Sequence, residues 1–389
     1  MIRPLSRKKV SRVQFKPTWD HFIASRRGNL HAARIDHDLA DRAFARLQQF
    51  FGDDPMTVPD RVMDYVINCA PHTYEWICWF SGCLDQFADT NGYASLCADL
   101  RDNDKHDAAA TVLQVADRLH AVGLEIAFDP SVVIDGKKKM PDLLVRDRAA
   151  NNFFYAEISI MFSAHRRVEA SDVFDRLRDL IHSFRDDPVA HGGRILRPIA
   201  PSEVEGLIGL VYWEILEVQR ARRFREVRFE DSLLLALAPE ALKDEVDRWS
   251  EAHQFEPGSF GAGMPPVDEF MRLHIKIAEE VQQLPSSQPN VLMIWAQSLL
   301  LVSPDPLALL PHIRGIAREH PKVALLVVVF EGYTSARIKH AAAGDCLIAG
   351  GTRGGIEFQH IIVPNDACPT PFPPETILKL KSAFALSGI

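Results

Sequence analysis

The stretch that most restricts this chain is residues 119–162, LHAVGLEIAFDPSVVIDGKKKMPDLLVRDRAANNFFYAEISIMF. Its last part, residues 153–162, alternates. Tyr155, Glu157 and Ser159 fall on one face, and Phe154, Ala156, Ile158 and Ile160 on the other. In the segment before it, MPDLLVR, alternation puts Met140, Asp142, Leu144 and Arg146 together. A hairpin folded about the polar turn DRAANN, centred between Ala149 and Ala150, opposes Asp142 to Glu157 on a common face, their Cβ atoms about 5 Å apart. Two like charges so opposed cost stability unless a cation or a proton lies between them. A hard divalent ion is one such partner, since Mg²⁺ is held by one or two carboxylates plus waters and substrate phosphate.

The preceding turn carries Asp135-Gly136, a strong hairpin signal. A two-residue turn there brings Asp129 beside Asp142; a slip of one or two steps brings Ser131 instead. Glu125 and Asp129 lie off the face of Leu124, Ile126 and Phe128, so either is a candidate third carboxylate.

Around this stretch the chain reads as α/β. Residues up to about 105 have helical periodicity, at 37–51, 59–69 and 74–87, where Trp76, Trp79 and Phe80 read as core. An amphipathic helix over 107–122 ends at Gly123. A helix over 171–184 is followed by a Gly- and Pro-bearing loop, HGGRILRPIAPSE, then by a mixed segment. Beyond a Gly- and Pro-rich linker, helices near 267–284 and 306–319 alternate with the apolar strands NVLMIWA and VALLVVVF, the pattern of a sheet buried on both faces. GGTRGG at 350–355 lacks the phosphate-loop pattern and a following helix, and reads as a hairpin or surface loop. The organisation expected is a helical region over 1–105 and an α/β domain over 106–389, with a mixed insert at about 187–262.

With 389 residues, a net charge of −8 and no apolar run long enough to span a bilayer, the chain reads as cytoplasmic, with no membrane partner. The six cysteines show no C-x-x-C spacing and read as reduced and partly buried. The net charge argues against coating nucleic acid by bulk electrostatics but leaves room for local basic patches. One is the N-terminal stretch with Arg7, Lys8, Lys9, Arg12, Lys16, Arg26 and Arg27. The other is QRARRFREVR, with Arg220, Arg222 and Arg223. Either has the charge to track phosphates.

Pro141-Asp142 followed by Glu157-Ile158-Ser159 resembles the PD-(D/E)xK, or restriction-endonuclease-like, nuclease superfamily. The resemblance implies a core of helix, three antiparallel strands, helix and further strands, here with an N-terminal helical region. It covers residues 107–163 well and 267–298 more loosely. It implies Mg²⁺ (or Mn²⁺) held by Asp142, Glu157 and the Ile158 carbonyl, and hydrolysis of phosphodiester bonds in a prokaryotic DNA-processing or defence setting. It also implies nucleic acid as partner, DNA before RNA, and admits a homodimer. The chain departs from the motif at its last position. Ser159 stands where the superfamily has a lysine that orients the attacking water, and a serine has no charge to stabilise a hydroxide. Lys276, on the helix before the fourth strand, is the first candidate for a migrated lysine. Lys138, also a candidate phosphate contact, and Lys139 follow. A repurposed, non-catalytic relative that binds nucleic acid is the alternative.

Overall fold

The structure, a computed structural model, describes residues 18–24, 36–68, 70–262, 267–331 and 341–385. The basic residues of the N-terminal stretch, Arg7, Lys8, Lys9, Arg12, Lys16, Arg26 and Arg27, and also Cys69, lie outside them. The chain divides into two compact units, one formed by Met1–Met161 with Glu269–Ile389 and the other by Phe162–Asp268. The second is wider than the insert expected at about 187–262. It takes in a helix that begins at His165, upstream of the expected 171.

The larger unit is built on a mixed eight-stranded sheet, in the order β1-β4-β5-β10-β11-β14-β13-β12. Its first three members are β1 (Glu125–Phe128), β4 (Leu143–Asp147) and β5 (Asn152–Ile160), all antiparallel. Between β1 and β4 the chain makes a separate two-stranded ribbon, β2 (Val132–Ile134) with β3 (Lys137–Lys139). Leu143 pairs with Ala156 and Val132 with Lys139, the registers the two turns dictate. Asp135 and Gly136 both have positive φ, as such a two-residue hairpin turn requires.

Parallel strands β10 (Asn290–Trp295) and β11 (Leu325–Glu331) follow β5 across the sheet. The helices α9 (Glu269–Glu280) and α10 (Pro306–Arg318) precede them. Every residue of β10 is buried, which is why it reads as an unbroken apolar run rather than an alternation. The edge is completed by β12 (Ala341–Ala343), β13 (Cys346–Arg353) and β14 (Ile356–Pro364). GGTRGG is the β13–β14 hairpin, with Arg353 paired to Ile356 across Gly354-Gly355.

One face of the sheet packs on the N-terminal helices α1 (His37–Phe51), α2 (Asp60–Ile67), α3 (Pro71–Gln86) and α4 (Tyr93–Arg101). The helices α5 (His106–Ala121) and α11 (Pro374–Ala385) join the same layer. Asp36 caps α1, accepting from the backbone N–H groups of Asp38 and Leu39. Leu47, Phe80, Leu113, Phe154, Met293 and Phe358 share one core, so the N-terminal helices are a layer of this unit rather than a region apart. Each such side chain removed from water contributes about 1.5–3 kcal/mol. Contact is close at Gly92. A Cβ there would lie 2.1 Å from the Phe128 carbonyl oxygen, and the Asn91 carbonyl accepts from Phe128 N–H at 2.8 Å. The other sheet face packs on α9 and α10.

The smaller unit has a four-stranded sheet, β7-β8-β6-β9, formed by β6 (Val189–Ile195), β7 (Arg225–Phe229), β8 (Leu233–Pro239) and β9 (Phe260–Ala262). Its helices are α6 (His165–His182), α7 (Val204–Ala221) and α8 (Lys243–Ala252). The segment expected as the loop HGGRILRPIAPSE begins inside strand β6. Gly192 admits α8 closely: a Cβ there would sit 2.4 Å from Ser250 Oγ. The glycine thus marks a close approach within a strand rather than a loop. Among the described residues, no helix is long and apolar enough to cross a membrane. Cys78, Cys83, Cys97, Cys346 and Cys368 are free.

Candidate functional site

The β4–β5 ladder begins at Leu143–Ala156, so Asp142 sits one step beyond its end, level with Glu157. Its carboxylate is fixed by the backbone: Asp142 Oδ2 accepts from Ile158 N–H at 2.7 Å. Asp129 is the next residue round the site. Its N–H donates to the Asp142 carbonyl at 2.9 Å, and its φ of 47° turns the chain away from β1 into the β2–β3 ribbon. That left-handed conformation is one the short Asp side chain tolerates better than most.

Phe154, Ala156 and Ile158 point into the core shared with the N-terminal helices, whereas Tyr155 packs on the α9 side. Glu157 and Ser159 therefore face α9. There Ser159 Oγ donates to Glu280 Oε1 at 2.8 Å, and Lys276 Nζ lies 2.6 Å from the same oxygen. Lys276 and Glu280 are one helical turn apart on the edge of α9 beside Leu273 and Ile277. The site thus unites Asp142, Glu157, Ser159, Lys276 and Asp129, and adds Glu280, which sequence reasoning did not single out. The i,i+4 spacing of Lys276 and Glu280 was the available signal. It identifies a helix edge but not the strand that edge covers.

The electrostatics are lopsided. Four carboxyls meet one lysine. Glu157 is buried, and its Oε2 has no hydrogen-bond partner among the described residues. Burial pushes the Glu157 carboxyl far above the usual carboxylate range, and the charges of Asp142 and Glu280 push it further. Asp142 is raised as well, first by desolvation and then by Asp129 and Glu280, against the lowering effect of the Ile158 N–H. Glu280 closes α9 at its C-terminal end, where the helix dipole opposes a negative charge. A buried carboxylate oxygen without a partner, among acids that repel one another, is an environment a divalent cation relieves. Among the described residues no three His, Cys, Asp or Glu side chains converge as a ready-made cage. Two carboxylates fit the way Mg²⁺ is held when water and phosphate oxygens complete its shell.

Glu125 does not join this group. It lies on the same sheet face, but it pairs in register with Arg146, four positions from Asp129 and roughly 13 Å along the strand. Its carboxylate forms an ion pair with Arg148 Nε at 2.6 Å. The basic stretch after α7 is also altered by its surroundings. Arg220 pairs with Glu217 and Arg222 with Asp187, each at 2.8 Å, while Arg225 binds Glu214 and Arg228 binds Glu226. Arg223 is exposed. Most of the expected patch is neutralised, in part by Glu217 and Glu226 close by and in part by Glu214 and by Asp187, 35 residues from Arg222, which the local sequence does not reveal. Lys138 is exposed on β3, in the ribbon that follows Asp129 and precedes Asp142. In comparisons with protein-family models, curated proteins and solved structures, none matches the chain.

Proposed function

We propose that this protein is a Mg²⁺- or Mn²⁺-dependent nuclease of the PD-(D/E)xK type, in which Lys276 replaces the lysine missing at Ser159. The observation that carries the reading is the gathering of Asp142, Glu157 and Glu280 at one end of the β4–β5 hairpin, to which Lys276 and Ser159 are joined through Glu280. The order of elements supports it: helix α5, antiparallel β1, β4 and β5, then α9 and a parallel β10.

In this reading Asp142 and Glu157 hold the cation, with the Ile158 carbonyl beside them. A bound divalent ion supplies Lewis acidity toward the phosphoryl group and lowers the pKa of water. The chain's own residues do the rest. Ile158 N–H fixes the rotamer of Asp142, so that the site is preorganised. Lys276 brings the only positive charge among the residues assembled here, opposite the negative charge that grows on a phosphate under attack. Glu280, tied to both Lys276 and Ser159, sets where that ammonium sits. Water adds across one P–O bond, leaving a phosphate monoester and a hydroxyl. By inference from the resemblance, the setting is prokaryotic DNA processing or defence, with DNA before RNA as substrate.

Assays on single- and double-stranded DNA and RNA with Mg²⁺ or Mn²⁺ test this. Cleavage is expected, and Asp142→Ala and Glu157→Ala are expected to abolish it. If both variants cut like the wild type, the site is wrong. A second reading, a nucleic-acid-binding protein without chemistry, is favoured by one observation: Lys276 is engaged by Glu280 rather than free beside the carboxylate pair. Salt-sensitive binding with no cleavage under any metal would select it.

A further inference from the structure

The sheet face that carries Asp142 and Glu157 does not end with them. The register places three cross-strand pairs along it: Asp142 level with Glu157, then Leu144–Tyr155, then Arg146–Phe153. The last two pairs open into a groove of about 480 Å³, lined also by Glu125, Arg148 and Asn151. Phe153 is 39% exposed, although its neighbour Phe154 is fully buried. Its ring and that of Tyr155 lie nearly perpendicular, with centroids 6.3 Å apart and planes at 84°, so the two do not stack on one another. Arg146 is exposed beside it, with no ion pair among the described residues, whereas Arg148 is held by Glu125.

We propose that this groove is a base-stacking subsite for single-stranded nucleic acid. The inference rests on the reading of the carboxylate cluster as a nuclease site and names the form of its substrate. An aromatic ring lying open on a sheet face, next to an unpaired arginine, is the arrangement that stacks an unpaired base and neutralises its phosphate. Bases inside a duplex present no open face to such a ring. From Phe153 to Glu157 is four residues, about 13 Å of strand. A base on Phe153 therefore lies a few nucleotides from the phosphate at the carboxylates, on the same face. Charge is complementary in the same sense, because Arg146 offsets the repulsion that the acidic end exerts on a polyanion.

The test uses the full chain, Ca²⁺ in place of Mg²⁺, and fluorescence anisotropy of labelled oligothymidylate, oligouridylate and a duplex of equal length. Single strands are expected to bind more tightly than duplex. Phe153→Ala is expected to weaken single-strand binding about five- to 100-fold, the range set by one stacked base. Phe153→Trp should retain binding, Arg146→Gln should weaken it and flatten its salt dependence, and the ratio of the two oligonucleotides reports DNA against RNA. Melting curves of the variants, both at exposed positions, control for folding. Unchanged single-strand affinity in Phe153→Ala, or binding confined to duplex, overturns the subsite. The two readings fail separately. Cleavage that survives Phe153→Ala with unchanged affinity sinks the subsite alone. Phe153-dependent binding without cleavage under any metal upholds the subsite and sinks the nuclease.

Discussion

Buried carboxylates occur on both faces of the large sheet, and they are treated oppositely. On the face toward the N-terminal helices, Asp117 of α5 accepts from Arg353 Nη2 at 2.7 Å and from Trp79 Nε1 at 2.8 Å. Burial alone would raise its pKa, but these bonds hold it below the usual carboxylate range. Asp147 is served likewise by Lys379 Nζ at 2.6 Å and Thr376 Oγ1 at 3.1 Å, with the same net result. On the opposite face Asp142 and Glu157 are raised, and Glu157 Oε2 has no partner among the described residues. The first pair staples strands to helices. The second leaves a demand for positive charge that the protein does not meet itself. Partner accounting, not burial, separates the structural acids from the functional candidates.

Substitution tests the contrast. The largest effect expected is on cleavage: Asp142→Ala or Glu157→Ala lowers the rate about a thousandfold, with thermal melting little changed. Asp117→Ala should do the reverse. It strands Arg353 and costs about 3 kcal/mol of stability, read from denaturant unfolding, while the cleavage rate of the folded fraction stays within a few-fold. Should Asp117→Ala prove neutral, the stapling role is wrong. Lys276→Met is expected to lower cleavage about a hundredfold, and Lys276→Arg to restore part of it in the same assay.

Smaller, but opposite in sign to most substitutions, is Glu157→Gln without divalent ions. Glu157 binds its proton more tightly in the folded than in the unfolded chain. Stability therefore holds below the ordinary carboxylate range, near pH 4, and falls as pH rises through neutrality. The glutamine variant does not follow that fall. It should melt above the wild type at pH 8, by about 1 kcal/mol, and match it at pH 4. Smallest is the rise in melting temperature on adding Mg²⁺ at pH 8, expected for wild type and absent in Glu157→Gln. A gain of equal size in both would place the ion elsewhere.

The hairpin registers were legible because each is set by a local symmetry, Ala149-Ala150 for one and Asp135-Gly136 for the other. The first puts Asp142 level with Glu157; of the two residues the second allows beside Asp142, Asp129 and Ser131, the structure has Asp129. Glu125 shows the limit of that reading: alternation gives a face, but not a height along it. The position of Lys276 could be anticipated from its helix, but Glu280 could not. Its meaning depends on α9 covering the Glu157 side of β5, a tertiary fact. The arginines after α7 fail for the same reason, since their counter-ions Asp187 and Glu214 come from other elements. Strand β6 is hidden by Gly192 and Gly193, which signal close packing against α8 and β8 respectively.

The contact at Gly92 bears on how the molecule can be dissected. Asn91 and Gly92 hold the end of β1 at Phe128, and the next residue is Asp129. A boundary drawn at residue 105, where the helical periodicity gives way to the α/β pattern, would cut away that support while leaving every proposed ligand in the fragment. It would also expose the side of the sheet where Phe154 and Met293 meet Leu47 and Phe80. A fragment starting there keeps the carboxylates but loses the level at which Asp129 stands beside Asp142, so the smallest autonomous form of the site begins with the first helices.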